Sequence, residues 1–231
     1  MSTRQLHKAM ATKSTKPKTA ASKSAKEPKA VSQSRKSAVM REAIIRAAIE
    51  MINAKSYALA TLTGIAATLD MRDAALYHYF HNKQALAYAC HRASLERFEK
   101  LLTATDKAGG SGEHKLRHFI RDMLVESSQN GPLLYFGDLS YLDSAQRKSI
   151  SAWGNRLKDV LIKFLKEGMA DGSIVQCEPE LVVQLLLGML IWMGKWVPDV
   201  DGLTVDRLMS AIDASLFRGL DRAHSVSLKA L

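Results

Sequence analysis

The chain has 231 residues, of which 47% are apolar, so it is long enough to bury the core of one or two globular domains. Its net charge of +10 is unevenly placed: residues 1–36 hold ten Lys or Arg and one Glu, a net charge of +9. The other residues hold 23 basic and 22 acidic side chains, so the folded body is nearly neutral. Two isolated cysteines exclude a disulfide framework and predict reduced thiols in the cytoplasm.

Residues 1–35 form a basic segment rich in Lys, Ala, Ser, Thr and Pro. So few large apolar side chains cannot offset the entropy of ordering the chain, and we predict a disordered tail. The segment has no apolar stretch or cleavage site of the kind that a secretory signal needs. Two interpretations stay open: the tail is an accessory DNA-binding arm, or it is a solubilising extension.

Residues 36–82 contain three predicted helices, and the last two are joined by a tight turn. The first helix is expected at Ser37–Asn53. Thr61 can cap the second helix, Asp70 occupies a position that tolerates a left-handed backbone, and Met71 plugs the turn. A third helix, roughly 72–79, follows at once. This is the pattern of a helix-turn-helix, in which the start of the second helix of the motif meets base edges in the major groove.

Read together, these elements closely resemble the DNA-binding domain of the TetR/AcrR transcriptional regulators. The match extends over about 47 residues without insertion or deletion. It includes Ile65-Ala66, Leu76-Tyr77, Tyr79-Phe80, Lys83 and Leu86. The resemblance implies contacts to double-stranded operator DNA from the helix-turn-helix and from Lys83. The residues expected at the DNA are Thr61, Arg72, Asp73, Ala75, Tyr77, His78, Tyr79 and Lys83.

Five positions depart from the family pattern, among them Ala60, where the family has Thr, and Gly64, where it has Asp. Ser56 and Asp70 stand where the family usually has Gly, and Arg72 stands where a Ser usually caps the recognition helix. Losing that cap is expected to weaken the start of the helix by about 1 kcal/mol. It also places a guanidinium where it could reach a guanine.

From residue 83 onward the apolar spacing is helical, with no alternating segment long enough for a strand. Helices are expected at 82–105, from Glu113, at 144–169, at 181–197 and at 204–220. The predicted fold is therefore all-α. A three-helix helix-turn-helix domain (36–82) precedes a helical ligand-binding and dimerisation domain (83–222), and residues 223–231 form a disordered end.

Residues 181–197 are apolar on nearly every face. Gln184 and Lys195 interrupt the run, which is too short for the roughly 20 residues that span a bilayer, so no membrane partner is expected. A helix that is apolar all round must be covered all round. The last helix offers Leu208, Ile212 and Leu216 as a second stripe. The resemblance implies a homodimer formed by these last two helices.

The C-terminal domain contains enough large apolar side chains for a ligand chamber. Most of them are core residues by default, and about a third are expected to line a pocket. The candidates are Phe98, Leu102, Phe119, Met123, Tyr135, Trp153, Leu157, Met189 and Trp192. The segment Gly188–Trp196 loosely resembles regulators of lipid, steroid and acyl-coenzyme A catabolism, which implies a small hydrophobic effector such as a lipid-type acid or its thioester.

No residue pattern indicates an enzyme. The chain has no nucleophile elbow, no phosphate-binding Gly-rich loop and no paired carboxylates, so we expect no catalytic residues and no cofactor. His114 and His118 lie four apart on one helix but lack a third ligand, so no metal site is expected. The leading hypothesis is a ligand-responsive dimeric repressor. The alternative is an architectural or weakly specific DNA-binding protein that uses its basic tail without an effector.

Overall fold

The computed structural model describes residues 29–134 and 138–219, and within these ranges the regular structure is helical. The helices are α1 (Lys29–Lys55), α2 (Leu62–Thr68), α3 (Asp73–Tyr77), α4 (Lys83–Ala108), α5 (Gly112–Asn130), α6 (Ser144–Asp171), α7 (Pro179–Trp196) and α8 (Val205–Ile212). A 3-10 turn follows α7 at Val197–Asp199, and a π-helical turn follows α8 at Asp213–Phe217. The all-α prediction is confirmed.

Helix α1 begins at Lys29, eight residues before the predicted start and inside the predicted tail. The prediction that the tail is disordered as far as residue 35 is therefore wrong for residues 29–35. Composition correctly indicates that this stretch has no core of its own. Yet once the packed part of α1 has nucleated, extending the helix costs little, because each added residue gains one backbone hydrogen bond. Residues 1–28 and the predicted disordered end at 223–231 lie outside the described residues.

The first three helices and the start of α4 share one hydrophobic cluster. Helix α1 contributes a buried face that packs on α2 and α4, and α3 packs on α2. The most deeply buried members are Ile44, Ala48, Ala60, Ile65, Ala66, Leu76, Leu86, Ala87, Cys90 and Leu134. Leu134 belongs to the segment after α5, so the C-terminal domain contributes directly to the core of the DNA-binding domain.

The C-terminal domain is built around α4, α5, α6 and α7. Their shared core includes Leu102, Phe119, Ile120, Leu161, Phe164 and Leu186. Gly112 marks the closest approach, because a Cβ atom placed there would lie 2.1 Å from the backbone nitrogen of Gly168. Glycine at position 112 thus lets the start of α5 touch the end of α6. Within the described residues, no helix is long and apolar enough to cross a membrane.

The final helix is shorter than predicted. Instead of one α-helix over 204–220, α8 ends at Ile212 and the backbone continues as a π-helical turn. Ser215 Oγ donates a hydrogen bond to the carbonyl of Ala211, which competes with the regular helical ladder there. The carboxylate of Asp213 is bound by Arg117 of α5. Sequence periodicity does not reveal this change of helix type, because Leu216 after the change packs on the same core as Leu208 and Ile212 before it.

Candidate nucleic-acid interface and ligand cavities

Local hydrogen bonds set the geometry of the helix-turn-helix. Thr61 accepts a hydrogen bond from Gly64 N and caps α2, as predicted. Asp70 adopts a left-handed conformation with φ of 52°, also as predicted. Arg72 precedes α3 with no side-chain cap, so the loss of the family's serine cap is visible here. Thr63 Oγ1 donates to Asp73 Oδ2 at 2.7 Å and ties the start of α3 to α2.

Four of the eight residues expected at DNA are exposed on α3 and the residues that flank it. Arg72, Asp73, Tyr77 and His78 are exposed, with Tyr77 at 54%, and Thr61 is exposed at the start of α2. Ala75 and Tyr79 are half-buried, and Tyr79 packs on the domain core. Ala74, which we did not single out, is exposed instead of Ala75. Because Ala74 precedes His78 by one helical turn, the two side chains share the outward face.

Lys83 lies in a small aromatic site at the start of α4. Its Nζ donates to the carbonyl of Ala58 at 3.1 Å and lies 4.3 Å from the centre of the Tyr57 ring. Tyr57 in turn stacks on Tyr141 at 3.7 Å. Partial burial lowers the pKa of Lys83 from its usual value. An ammonium group has three donors, so the bond to Ala58 leaves Lys83 able to bind a phosphate as well.

A second polar contact, missed in the sequence, joins α4 to the loop before α6. The ring of His91 is buried, and its Nε2 lies 2.9 Å from the hydroxyl of Tyr141. Burial lowers the pKa of His91 to about 4. The neighbouring Cys90 is also buried, and burial raises its pKa, so it is an unreactive thiol. The 50-residue separation of His91 and Tyr141 leaves no local sequence signal.

The described part of the C-terminal domain contains two apolar cavities of interest. The first, which we call the outer groove, has a volume of about 570 Å³ and lies between α4, α6 and α7. Its lining includes Phe98, Leu157 and Trp192, all predicted as ligand residues. The second, the inner cavity, has a volume of about 230 Å³ and lies between α5, α7, α8 and the turn at 131–133. Met123 is the predicted ligand residue in its wall.

The other predicted ligand residues lie elsewhere. Leu102 and Phe119 are fully buried core residues and line neither cavity. Trp153 and Met189 are half-buried against the same core and also lie outside both cavities. The indole nitrogen of Trp153 is buried without a hydrogen-bond partner among the described residues. Tyr135 lies outside the described residues. The single chamber expected from the sequence is therefore divided in two.

Helix α7 presents an exposed apolar row, which we call the α7 stripe. It consists of Leu181, Leu185, Trp192 and Trp196, with Leu185 at 74% exposure. The predicted second stripe on the last helix is wrong. Ile212 is buried, and Leu208 and Leu216 pack against the core of their own subunit. The outward residues of α8 are polar or small: Asp206, Arg207, Ser210 and Ala211.

Family models match both halves of the chain. The model for bacterial regulatory proteins of the tetR family matches residues 44–90. The model for the tetracyclin repressor-like C-terminal domain matches residues 109–220. The chain belongs to the TetR family. Members of this family are transcriptional regulators, so this TetR-family protein is a DNA-binding regulator and not an enzyme.

Solved structures of other regulators have the same fold. AibR, in complex with isovaleryl coenzyme A and operator DNA, is 22% identical with a TM-score of 0.63, covering 74% of this chain and 95% of that one. PfmR from Thermus thermophilus is 24% identical with a TM-score of 0.63, covering 78% and 99%. The ketosteroid regulator KstR2 of Mycobacterium tuberculosis is 14% identical with a TM-score of 0.63, covering 74% and 90%. A comparison with curated proteins finds no match.

Direct hydrogen bonds join the two domains of this TetR-family protein at the end of α1. Asn53 is buried, and its Nδ2 donates to the carbonyl of Leu133 at 2.8 Å. Lys195, in the last turn of α7, donates to the backbone carbonyl of Asn53. We call Asn53, Leu133 and Lys195 the latch. In the sequence, Lys195 is visible only as a charge that interrupts an apolar run.

Proposed function

We propose that the protein is a homodimeric repressor that binds a palindromic operator and leaves it when a small hydrophobic effector binds. The observation that carries the DNA-reading part is the exposed face of α3, with Arg72, Ala74, Tyr77 and His78 outward. The Thr63–Asp73 hydrogen bond holds this face in place. A short helix with its first turn exposed is suited to base-edge contacts in the major groove.

The α7 stripe supports the dimer. Large apolar residues that share an exposed helix face mark a protein contact surface. The outer groove continues this surface onto α6 through Ser151, Gly154 and Asn155. A matching pair of helices from a second subunit would cover both the stripe and the groove. We therefore assign the dimer contact to α6 and α7, whereas the sequence suggested α7 and the last helix.

The effector is proposed to be a compact hydrophobic molecule, with a lipid-type acid or its thioester as the leading class. Two of the similar structures motivate this class. AibR is bound to isovaleryl coenzyme A, and KstR2 is a ketosteroid transcriptional regulator. Both proteins are less than 25% identical to this chain, so they support the choice of candidates and not the identity of the ligand.

Selection of duplexes from a random pool by the full chain tests the DNA-binding proposal. Around physiological salt, we expect one enriched sequence with two inverted half-sites whose centres are about 34 to 36 Å apart, or a multiple of one helical turn. Binding should exceed that of bulk duplex by a factor of about 10³ or more. Enrichment of no sequence would favour the architectural alternative, in which the basic tail binds any duplex.

A further inference from the structure

The inner cavity has the size and polarity of a site for one small group. Its volume of about 230 Å³ exceeds the roughly 150 Å³ of an apolar cavity that admits benzene. It is smaller than the roughly 300 Å³ at which pockets for drug-sized ligands begin. Every described residue that lines it is uncharged. The cavity therefore fits a branched or cyclic group of about five to eight non-hydrogen atoms.

The cavity has a polar edge. Ser127, Ser128 and Thr204 line it beside apolar residues of α5, α7 and α8, and Ser128 and Thr204 are exposed. Thr204 Oγ1 accepts a hydrogen bond from Arg207 N, so its own proton is free to be donated outward. A ligand with an apolar body and one neutral oxygen, such as a hydroxyl or a thioester carbonyl, matches this arrangement.

The wall of the same cavity is bonded to α1. Leu133 lines the cavity and accepts the hydrogen bond from Asn53. Gly194 lines it too, and a Cβ atom there would lie 3.4 Å from Asn53 Nδ2 and 3.3 Å from Pro132 Cβ. Lys195, the next residue, donates to the Asn53 carbonyl. A ligand that separates α7 from the 131–133 turn must therefore shift or break the latch.

The opposite side of the turn is held firmly by α4. Arg97 donates to the carbonyl of Gly131 at 2.6 Å and forms two hydrogen bonds with Glu126, at 2.6 and 2.5 Å. Ser94 Oγ accepts from Leu134 N at 3.0 Å. Because the turn is anchored to α4 and α5, a ligand that widens the cavity would displace α7 and, through Lys195, the end of α1. Helix α1 in turn packs on α2 and α4 in the DNA-binding core.

We propose that the inner cavity is the effector site and that the latch transmits its occupancy to α1, and this inference rests on the proposed function above. The effector places a compact apolar group of five to eight atoms among Met123, Leu190 and Met193, and its neutral oxygen meets Thr204. Occupancy loosens the latch, so α1 and the helix-turn-helix that it supports leave the position that binds operator.

Methyl NMR of the full chain labelled at methionine tests the site. The probe is 3-methylbutan-1-ol, and isovaleryl coenzyme A is a second arm that tests whether a thioester delivers the same group. We expect saturable shifts of Met123 and Met193, which line the cavity, and none of Met169, which lies near Cys177. Leu208→Trp should abolish these shifts by filling the cavity, with Val205→Phe as a second filling variant. Unchanged Met123 and Met193 signals with both probes would overturn the site.

Operator affinity with and without saturating probe tests the latch. The wild-type chain should lose at least about fivefold in affinity for its selected operator, within the usual range of allosteric coupling. Lys195→Met should reduce that change to less than about twofold, whereas Lys100→Met, on an exposed part of α4, should keep it. Gly194→Ala should alter the change, because the added Cβ atom would contact Pro132 and Asn53, whereas Ser149→Ala, at an exposed position of α6, should not.

The outcomes separate this inference from the proposed function. A wild-type chain that selects no duplex contradicts the proposed function. A chain that binds its operator and responds to the probe, but keeps its full response in both Lys195→Met and Gly194→Ala, contradicts the latch alone. Circular dichroism of each variant confirms that it folds before the comparison is made.

Discussion

Ser56 and Asp70 both hold left-handed backbone conformations, with φ of 83° and 52°. These are the two positions where TetR-family sequences usually have glycine, so the structure explains the family preference. Backbone hydrogen bonds keep Ser56 there, because its N–H donates to Ile52 O at 2.8 Å and its carbonyl accepts from Ala60 N at 3.1 Å. An L-residue in this conformation costs about 1 to 2 kcal/mol.

Ser56→Gly should therefore stabilise the protein. Removing the strain outweighs the roughly 0.5 to 1 kcal/mol that the extra chain entropy of glycine costs. The free energy of unfolding should therefore rise by about 0.5 to 1 kcal/mol. Thermal melting would show a rise of about 2 °C. Ser149→Gly is the matched control at an exposed position of α6 and should lower the melting temperature. A lower melting temperature for Ser56→Gly would argue against strain at this position.

The burial of His91 predicts that the folded protein loses stability in acid. Burial lowers its pKa in the folded protein from 6.5 to about 4, so below pH 6.5 the unfolded chain binds a proton that the folded one excludes. The contribution of neutral His91 to the free energy of unfolding is therefore fully present above pH 6.5 and is lost as the pH falls from 6.5 towards 4. Between about pH 7.5 and 5, denaturant unfolding of the wild type should lose about 2 kcal/mol more than His91→Gln. Equal losses would contradict a buried neutral His91.

At the scale of elements, local signals predicted much of the structure. Thr61, Asp70 and the absent cap at Arg72 each occupy the roles read from the sequence. Helix starts with polar caps, such as Ser144–Asp171 after Asp143, were also placed correctly. These features depend on residues within one or two turns of each other, and the residue types themselves carry the information.

Features that depend on distant parts of the chain were not predictable. Periodicity shows that Leu208, Ile212 and Leu216 share a face, but not that this face packs inside its own subunit. The latch joins residues 142 positions apart, and Tyr57 stacks on Tyr141 across 84 positions. Likewise, the sequence shows that the candidate ligand residues are large and apolar, yet the division of the eight described ones between core, groove and cavity depends on how four helices pack.

Gly112 gives a prediction about helix packing. Gly112→Ala should destabilise the protein by several kcal/mol, because the new methyl group would overlap the backbone of α6 at Gly168 and Phe164. Ser149→Ala, at an exposed position of α6 outside the groove, should instead be neutral or stabilising by up to about 0.5 kcal/mol. Denaturant unfolding of both variants provides the measurement. Similar stability for the two would mean that α5 and α6 are farther apart than described.

At the scale of the whole molecule, the α7 stripe predicts how the subunits associate. Leu185→Glu should shift the protein from dimer to monomer, because a carboxylate would be buried in an apolar contact. Val175→Glu is the control: Val175 is 82% exposed but lies before α7 and off the stripe. Sedimentation velocity should show a dimer weaker by about a hundredfold or more for Leu185→Glu only. A dimer that tolerates this change would exclude the α6–α7 contact.

The most direct test of the central claim, that the exposed start of α3 reads an operator, is the affinity of Arg72→Ala for two duplexes. One is the operator selected by the wild-type protein, and the other is a random duplex of equal length measured at the same salt concentration. We predict a loss of about 1 to 3 kcal/mol in binding free energy on the operator and little loss on the random duplex, because a base contact affects only the cognate site. Equal losses on the two duplexes would contradict base reading by Arg72 and the orientation of α3 on DNA.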